Sequence, residues 1–302
     1  MGAWGSGLYQ DDYASDLKNT ISLVCKIPWD GERLLEVLWQ MQCDAGIDGD
    51  DECTFWLVVA DQFERRGIAC SSAIAKALAI IDDGQDIRRM EELEKKDIIN
   101  RQRILLELAD RLRSPRQERP RPTAKKPPEY VVEVGDIYAY PTMKGKAVNS
   151  WFPTWEEAGF EPDGWGALVV LQKGRAFDWL PWVSVAALTV PHELYPSLDD
   201  ALKAHLLTDD LQTEGAAKVV PKRSHFKRMK MELIGRVPLN KEKAERHVST
   251  WSDVSAIDNG WSLSSPAFSS NIGDLSIGSC LADLLEEPAN KPIHPTANAS
   301  AD

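Results

Sequence analysis

The sequence has few of the residues that bind metals or form disulfides, and they are scattered. Its 302 residues include five cysteines and five histidines. The cysteines form no Cys-x-x-Cys pair, so we expect reduced thiols in a cytoplasmic protein. The histidines never stand four residues apart on one helical face, whereas zinc sites need clustered His or Cys ligands. The sequence therefore predicts no metal site.

Catalytic and membrane signatures are missing as well. No Gly-x-Ser-x-Gly elbow occurs, and the opening MGAWGSG lacks both the preceding strand and the Gly-Lys-Ser/Thr ending that a phosphate-binding loop needs. The sequence contains no run of about 18 apolar residues, so we expect no membrane-spanning segment. The first residues also lack the basic and apolar regions of a secretory signal. We therefore expect a protein that is not an enzyme and binds no cofactor, with Trp4 and Leu8 packed against neighbouring helices.

The composition is that of a folded acidic protein that is rich in tryptophan. Hydrophobic residues make up 43% of the chain and charged residues 27%, which is ordinary for a globular protein. The net charge of −12 argues against a protein that coats duplex nucleic acid, and it suits a basic partner. The eleven tryptophans predict either core packing or anchors at a partner-binding surface.

Residues 1–112 predict an all-helical domain. Apolar residues recur at helical spacing in four segments, and a fifth, charge-rich segment over 86–114 predicts one long helix. Gly67 is expected to end the third helix, because glycine follows the last periodic residue. The four shorter segments are DDYASDLKNTISLV, WDGERLLEVLWQMQC, DECTFWLVVADQFERRG and SSAIAKALAIIDDG.

The remainder predicts a linker, a mainly β domain and a disordered tail. Residues 113–129 are basic and rich in proline, which favours an extended linker. Residues 130–287 are rich in β-branched and aromatic residues, with one or two short helices, and residues 288–302 form a polar tail. Within 130–287 we expect a hairpin that turns at Lys173–Gly174 and a strand over 224–239. The chain is thus an α+β protein whose sheet is a small barrel or a curved antiparallel sheet.

An acidic stretch and two tryptophans are the candidate partner-binding residues. The stretch DAGIDGDDE does not match the spacing of a Ca²⁺ loop, and it suits either a helix-capping loop or contact with a basic protein. Aromatic anchors are enriched at interfaces. The candidate residues are Asp44, Asp48, Asp50, Asp51, Trp151 and Trp155.

Two basic segments and one pair of acids support alternative functions. Residues 113–126 and 222–230 combine lysine and arginine, and the second contains an interleaved Phe226, a pattern that can contact nucleic acid. The alternative is a solvated linker and a solvated strand face. Asp136 and Asp178 could also meet as the carboxylate pair of an unrecognised hydrolase, although their spacing does not require it.

The opening MGAWGSGLYQDDYASD resembles that of an uncharacterised bacterial family whose members begin Met-Gly-Ala-Trp-Gly. A buried Phe-Trp helix and a helix like ALAIIDDGQDIRRMEE follow in that family, so the similarity spans roughly residues 1–112. The segment VGDIYAYP resembles the start of a small β domain in some bacterial immunity proteins.

This resemblance implies a domain of unknown function with no catalytic residues. It further implies an immunity protein that neutralises a toxin by direct contact, and the acidic composition of the chain favours a basic toxin as the partner. The tail HPTANASAD resembles the translated recombination site of a mobile gene cassette.

Overall fold

The protein combines a group of helices with an antiparallel sheet, which confirms the α+β class. The computed structural model describes residues 5–45, 49–90, 94–114, 120–149, 152–209, 215–250, 263 and 275–286. Helices dominate the first part of the chain, and strands begin only after residue 135. No helix in these ranges is both long and apolar enough to cross a membrane.

Six α-helices are described in the N-terminal half. Leu17, Ile21 and Val24 line the buried face of the first helix, and Asp11 accepts a hydrogen bond from the Ala14 amide at its start. Gly67 ends the third helix with a φ of 65°, as predicted. The helices are α1 (Asp12–Val24), α2 (Gly31–Ala45), α3 (Gly49–Arg66), α4 (Ser71–Asp82), α5 (Gln85–Arg88) and α6 (Lys95–Arg113).

The single long helix expected over 86–114 is wrong, because it is divided into α5 and α6. Asp86 is buried in α5, and Arg101 of α6 donates two hydrogen bonds to its carboxylate, at 2.8 and 3.1 Å. The two residues are fifteen positions apart and could not meet on one continuous helix. α5 ends at Arg88 and α6 begins at Lys95, and this ion pair joins the two helices.

In the part of the chain that the structure describes, seven strands form one sheet in the order β6-β1-β2-β3-β4-β7, with β5 paired to β3. The strands are β1 (Asp136–Thr142), β2 (Gly164–Ala176), β3 (Leu180–Leu188), β4 (His205–Asp209), β5 (Lys218–Val219), β6 (Glu232–Arg236) and β7 (Leu275–Cys280). The sheet is open. The barrel expectation is wrong, because β6 and β7 lie at opposite ends and do not pair with each other in the part of the chain described.

The predicted β2–β3 hairpin is present, but its turn lies beyond Lys173–Gly174. Phe177 and Asp178 form the turn with φ values of 53° and 60°, conformations that sequence rules assign to Gly or Asn. Gly174 lies within the strand instead. A side chain there would overlap the indole ring of Trp182, so glycine makes room for that ring.

Three short helices and one turn of 3-10 helix accompany the sheet, where one or two helices were expected. They are α7 (Leu198–Lys203), α8 (Arg223–Met229), α9 (Lys241–Glu245) and the 3-10 turn Leu281–Leu284. The strand predicted over 224–239 is wrong in its first half, which forms α8. His225 and Met229, four residues apart, are both buried, and this is helical spacing.

One apolar cluster among the described residues joins the helical half to the end of the β2–β3 hairpin, and two further clusters lie against the rest of the sheet. Ala176, Leu180 and Trp182, at the end of the β2–β3 hairpin, pack among the buried side chains of the helices. Phe177 at the tip meets the ring of Trp29 edge-on, with centroids 6.2 Å apart. The hairpin therefore completes the core of the helices.

A residue of the proline-rich stretch adds a polar contact between the halves. The Arg121 guanidinium donates to the carbonyls of Cys25, Ile27 and Trp29 at 2.5 to 3.0 Å, just beyond α1. The Ala124 amide donates to the Lys26 carbonyl at 2.8 Å. This part of the basic stretch is thus bound to the helices. The polar tail 288–302 lies outside the described residues.

Candidate functional site

A basic surface is centred on α8. Residues 222–230 carry five lysine and arginine side chains and no carboxylate. The buried Met229 and the partly buried Phe226 fix the helix to one face of the sheet, where the Phe226 ring lies 5.4 Å from that of Tyr138. With its apolar side fixed in this way, the helix presents its cations to solvent.

Trp155 holds the C-terminal end of α8 in place. Its indole N–H donates to the Arg228 carbonyl at 2.6 Å. The ammonium of Lys230 lies 3.7 Å from the centre of the Trp155 ring, close enough for a cation–π contact. Phe160 packs edge-on against the same ring at 5.0 Å. Lys230 itself has a φ of 48° and ends the helix.

A groove of about 360 Å³ lies between α8 and the segment that contains Trp155. Lys227, Arg228 and Lys230 line it on one side, and Glu156 is the one acidic residue among the described lining residues. The described lining residues are Pro153, Trp155, Glu156, Ser224, Lys227, Arg228 and Lys230. The groove is therefore positively charged and offers donors to an anionic group. We call it the α8 groove.

The charges beside the α8 groove oppose one another. Burial, together with the positive charges of Lys26 and Arg228, lowers the pKa of Lys222. Burial and the charges of Lys222 and Arg228 lower the pKa of His225 to about 4, so this ring is neutral at pH 7. Its Nδ1 atom is buried and has no hydrogen-bond partner among the described residues. An anion bound here would relieve this repulsion.

The structure brings together only some of the predicted site residues. Trp155, a candidate partner anchor, meets the basic segment 222–230, which the sequence offered as an alternative site. Asp51 lies on α3 in the helical half, and Asp50 lies in the first turn of that helix, where an acid suits the helix dipole. Asp44 lies in α2, while Asp48 and Trp151 lie outside the described residues.

The carboxylates proposed for a hydrolase are apart. Asp136 begins β1, where it accepts a hydrogen bond from Arg236 at 2.5 Å and one from the Glu133 amide at 2.8 Å. Asp178 lies at the tip of the β2–β3 hairpin. Since the neighbour of Asp136, Ile137, pairs with Val169 near the middle of β2, about half of that strand separates Asp136 from the turn that contains Asp178.

Other buried acids in the helical half are neutralised by arginine. Asp61 of α3 accepts from Arg65 at 2.7 Å and from Arg111 at 2.5 Å. Burial alone would raise the pKa of Asp61, but hydrogen bonds from Tyr9 and Arg111 hold it below its ordinary value. Such a group stays ionised and is a poor general acid. Among the described residues, no group of three or more His, Cys, Asp or Glu side chains could hold a metal ion.

No protein-family model, curated protein or solved structure matches this chain. The resemblances noted in the sequence, to a bacterial family and to immunity proteins, therefore stay predictions.

Sequence reasoning identified the basic segment and Trp155 separately but missed that they form one site. Trp155 and Arg228 are 73 positions apart, and only the sheet topology unites them. Helical spacing of His225 and Met229 was the signal that could have placed the cations on one helix.

Proposed function

We propose that this chain is a non-catalytic binding protein and that the α8 groove is the surface through which it contacts an anionic partner. The observation that carries the proposal is the collection of Lys227, Arg228 and Lys230 around a groove whose wall is fixed by Trp155. A rigid charged surface binds without the entropic loss of ordering a loop.

The charge of the rest of the molecule supports recognition of a particular partner more than general attraction of anions. The molecule carries a net charge of −12, so a positive surface on it orients an incoming anionic partner. Complementary charge speeds encounter and suppresses wrong partners. The partner is therefore expected to approach with an acidic region facing α8.

Binding of a short poly-glutamate peptide at low salt tests this proposal. We expect the wild-type protein to bind the labelled peptide, and Lys227→Glu/Lys230→Glu to weaken binding by roughly tenfold or more, because two attractions become repulsions. Fluorescence anisotropy measures the affinity, and circular dichroism verifies that the variant is folded.

Lys95→Glu/Lys96→Glu is the matched control. It makes the same charge change at the exposed start of α6, where acids suit the helix dipole. Equal losses in the two variants, or no binding by the wild type, contradict the proposal.

Neutralisation of a toxin by direct contact rests on the resemblance to immunity proteins, and through the α8 groove it requires a toxin with an acidic region, whereas the basic toxin expected from the composition would have to contact an acidic surface instead. Growth of cells that co-express candidate toxins with the wild-type chain or with Lys227→Glu/Lys230→Glu tests it. Protection that the α8 variant loses supports contact through the α8 groove. Protection that both chains give equally assigns the contact to another surface, such as the acidic residues near α3.

A further inference from the structure

The α8 groove is flanked by exposed apolar side chains. Phe152, next to the lining residue Pro153, is 41% exposed. Leu233 of β6 is 55% exposed and stands directly opposite Tyr138 of β1. The Tyr138 ring contacts Phe226 of α8, and Leu233 lies beside Tyr138 on the neighbouring strand. The cations are therefore bordered by apolar surface, which neither phosphate nor a purely acidic chain would use.

Trp155 is not placed to stack on a nucleobase. Its ring carries the Lys230 ammonium on one side and the edge of Phe160 nearby, and its N–H is bonded to the Arg228 carbonyl. Proteins that bind single strands present open aromatic faces on which successive bases stack. This tryptophan instead serves to fix α8.

The charge around the groove disfavours a long polyanion. Outside residues 222–230 the chain is more acidic than its net charge of −12 indicates, because that segment contributes five cations. A nucleic acid longer than the groove would meet this negative surface. Glu156, which lines the groove, adds a local repulsion. A short acidic segment avoids most of it.

We infer that the partner of the α8 groove is a protein segment in which carboxylate and apolar side chains are interspersed. This inference rests on the proposed function and names its partner class. Carboxylates of the segment pair with Lys227 and Lys230, and its apolar side chains cover Phe152 and Leu233. The apolar contacts distinguish such a segment from any simple polyanion.

Three labelled probes test the inference: a peptide that alternates glutamate with leucine, a peptide of equal length that alternates glutamate with serine, and a thymidine oligonucleotide. We expect the Glu–Leu peptide to bind about fivefold more tightly than the Glu–Ser peptide, because leucine is partly buried on binding. The oligonucleotide is expected to bind more weakly than either peptide.

Leu233→Ser separates the apolar contact from the charge contact. It should reduce the preference for the Glu–Leu peptide by about threefold and leave the affinity for the Glu–Ser peptide unchanged. Ile99→Ser is the matched control, since Ile99 is 57% exposed and lies on α6 in the helical half, whereas Leu233 lies on β6. It should change neither affinity.

The outcomes distinguish the inference from the proposed function. Equal affinity for the two peptides, lost in Lys227→Glu/Lys230→Glu, overturns the inference and leaves the anion-binding function standing. Tightest binding of the oligonucleotide overturns the inference in favour of a nucleic-acid partner. Failure of all three probes to bind overturns both.

Discussion

Charged side chains are arranged in opposite ways in the helical half and around α8. In the helices, carboxylates that are removed from water are each paired with arginine, as in the contacts of Asp86 with Arg89 and Arg101. Around α8, cations gather beside Glu156, the one carboxylate among the described lining residues, and burial together with the positive charges of Lys26 and Arg228 lowers the pKa of Lys222. The first arrangement serves packing. The second places like charges close together, and an anionic partner would stabilise it.

The buried ion pairs of the helices and the surface cations of α8 differ in what their removal costs. Burial alone would raise the pKa of Asp86, but Arg101 and Arg89 hold it below its ordinary value, so the pair is ionised inside the protein. Such pairs contribute little net energy and are strongly destabilising when one member is removed. Cations at a surface can be removed at small cost, which leaves them free to serve binding.

The largest effect is expected from breaking the buried pair. Asp86→Ala should reduce the free energy of unfolding by about 3–5 kcal/mol, because it leaves the buried Arg101 without its carboxylate. Urea denaturation measures the change. Asp86→Leu/Arg101→Met removes both charges and should recover most of the loss. A double variant as unstable as the single one would show that shape, and not charge, governs this site.

A smaller loss of folding stability is expected when the pH is lowered, because of His225. Its pKa in the folded protein, about 4, lies below the ordinary value of 6.5, so the unfolded chain takes up a proton first as the pH falls. The stabilisation is complete above pH 6.5 and is lost between pH 6.5 and 4. Between pH 8 and 5 this ring should account for about 2 kcal/mol of lost stability.

His225→Phe tests this assignment, since a ring that cannot be protonated should flatten the pH dependence over that range. His192, which is partly exposed and contacts Asp163, provides the control substitution. An identical pH dependence in wild type and His225→Phe would refute the assignment.

The smallest effect is expected from neutralising α8. Lys222→Gln/Lys227→Gln should leave the free energy of unfolding unchanged or raise it by up to about 0.5 kcal/mol, because exposed charges contribute little and these repel their neighbours. The same variant should bind poly-glutamate less well. Thermal unfolding and anisotropy on one sample measure both. A marked loss of stability would place these lysines in the structural network and weaken the contrast with the helices.

Local sequence signals predicted the helices well and the sheet less well. Leu17, Ile21 and Val24 repeat at helical spacing, and the helix forms where they predict it. The hairpin turn was misplaced, because Phe177 and Asp178 adopt positive φ without being glycine, and the tip is fixed by its contact with Trp29. Tertiary packing overrides turn preference there.

The site depended on contacts between distant parts of the chain. Residues 222–230 were short enough to suit either a strand or a helix, and the choice was made by burial of Met229 against the sheet. The pairing of Trp155 with Arg228 and Lys230 follows from the sheet order, which no local pattern encodes. Asp50 and Asp51 lie in the first turn of α3, and the partner contact expected of them stays a prediction.

The apolar core that the helices share with the β2–β3 hairpin determines whether the chain can be cut into two stable fragments. Ala176, Leu180 and Trp182 complete an interior that otherwise belongs to α1–α4 and α6. A recombinant fragment that ends in the proline-rich stretch would lack these side chains, and the complementary fragment would expose them to water and tend to aggregate. Two fragments made together in one cell could bury the hairpin between them, so a chain nicked in this stretch is the natural starting point for a split reporter that regains its fold on reassembly.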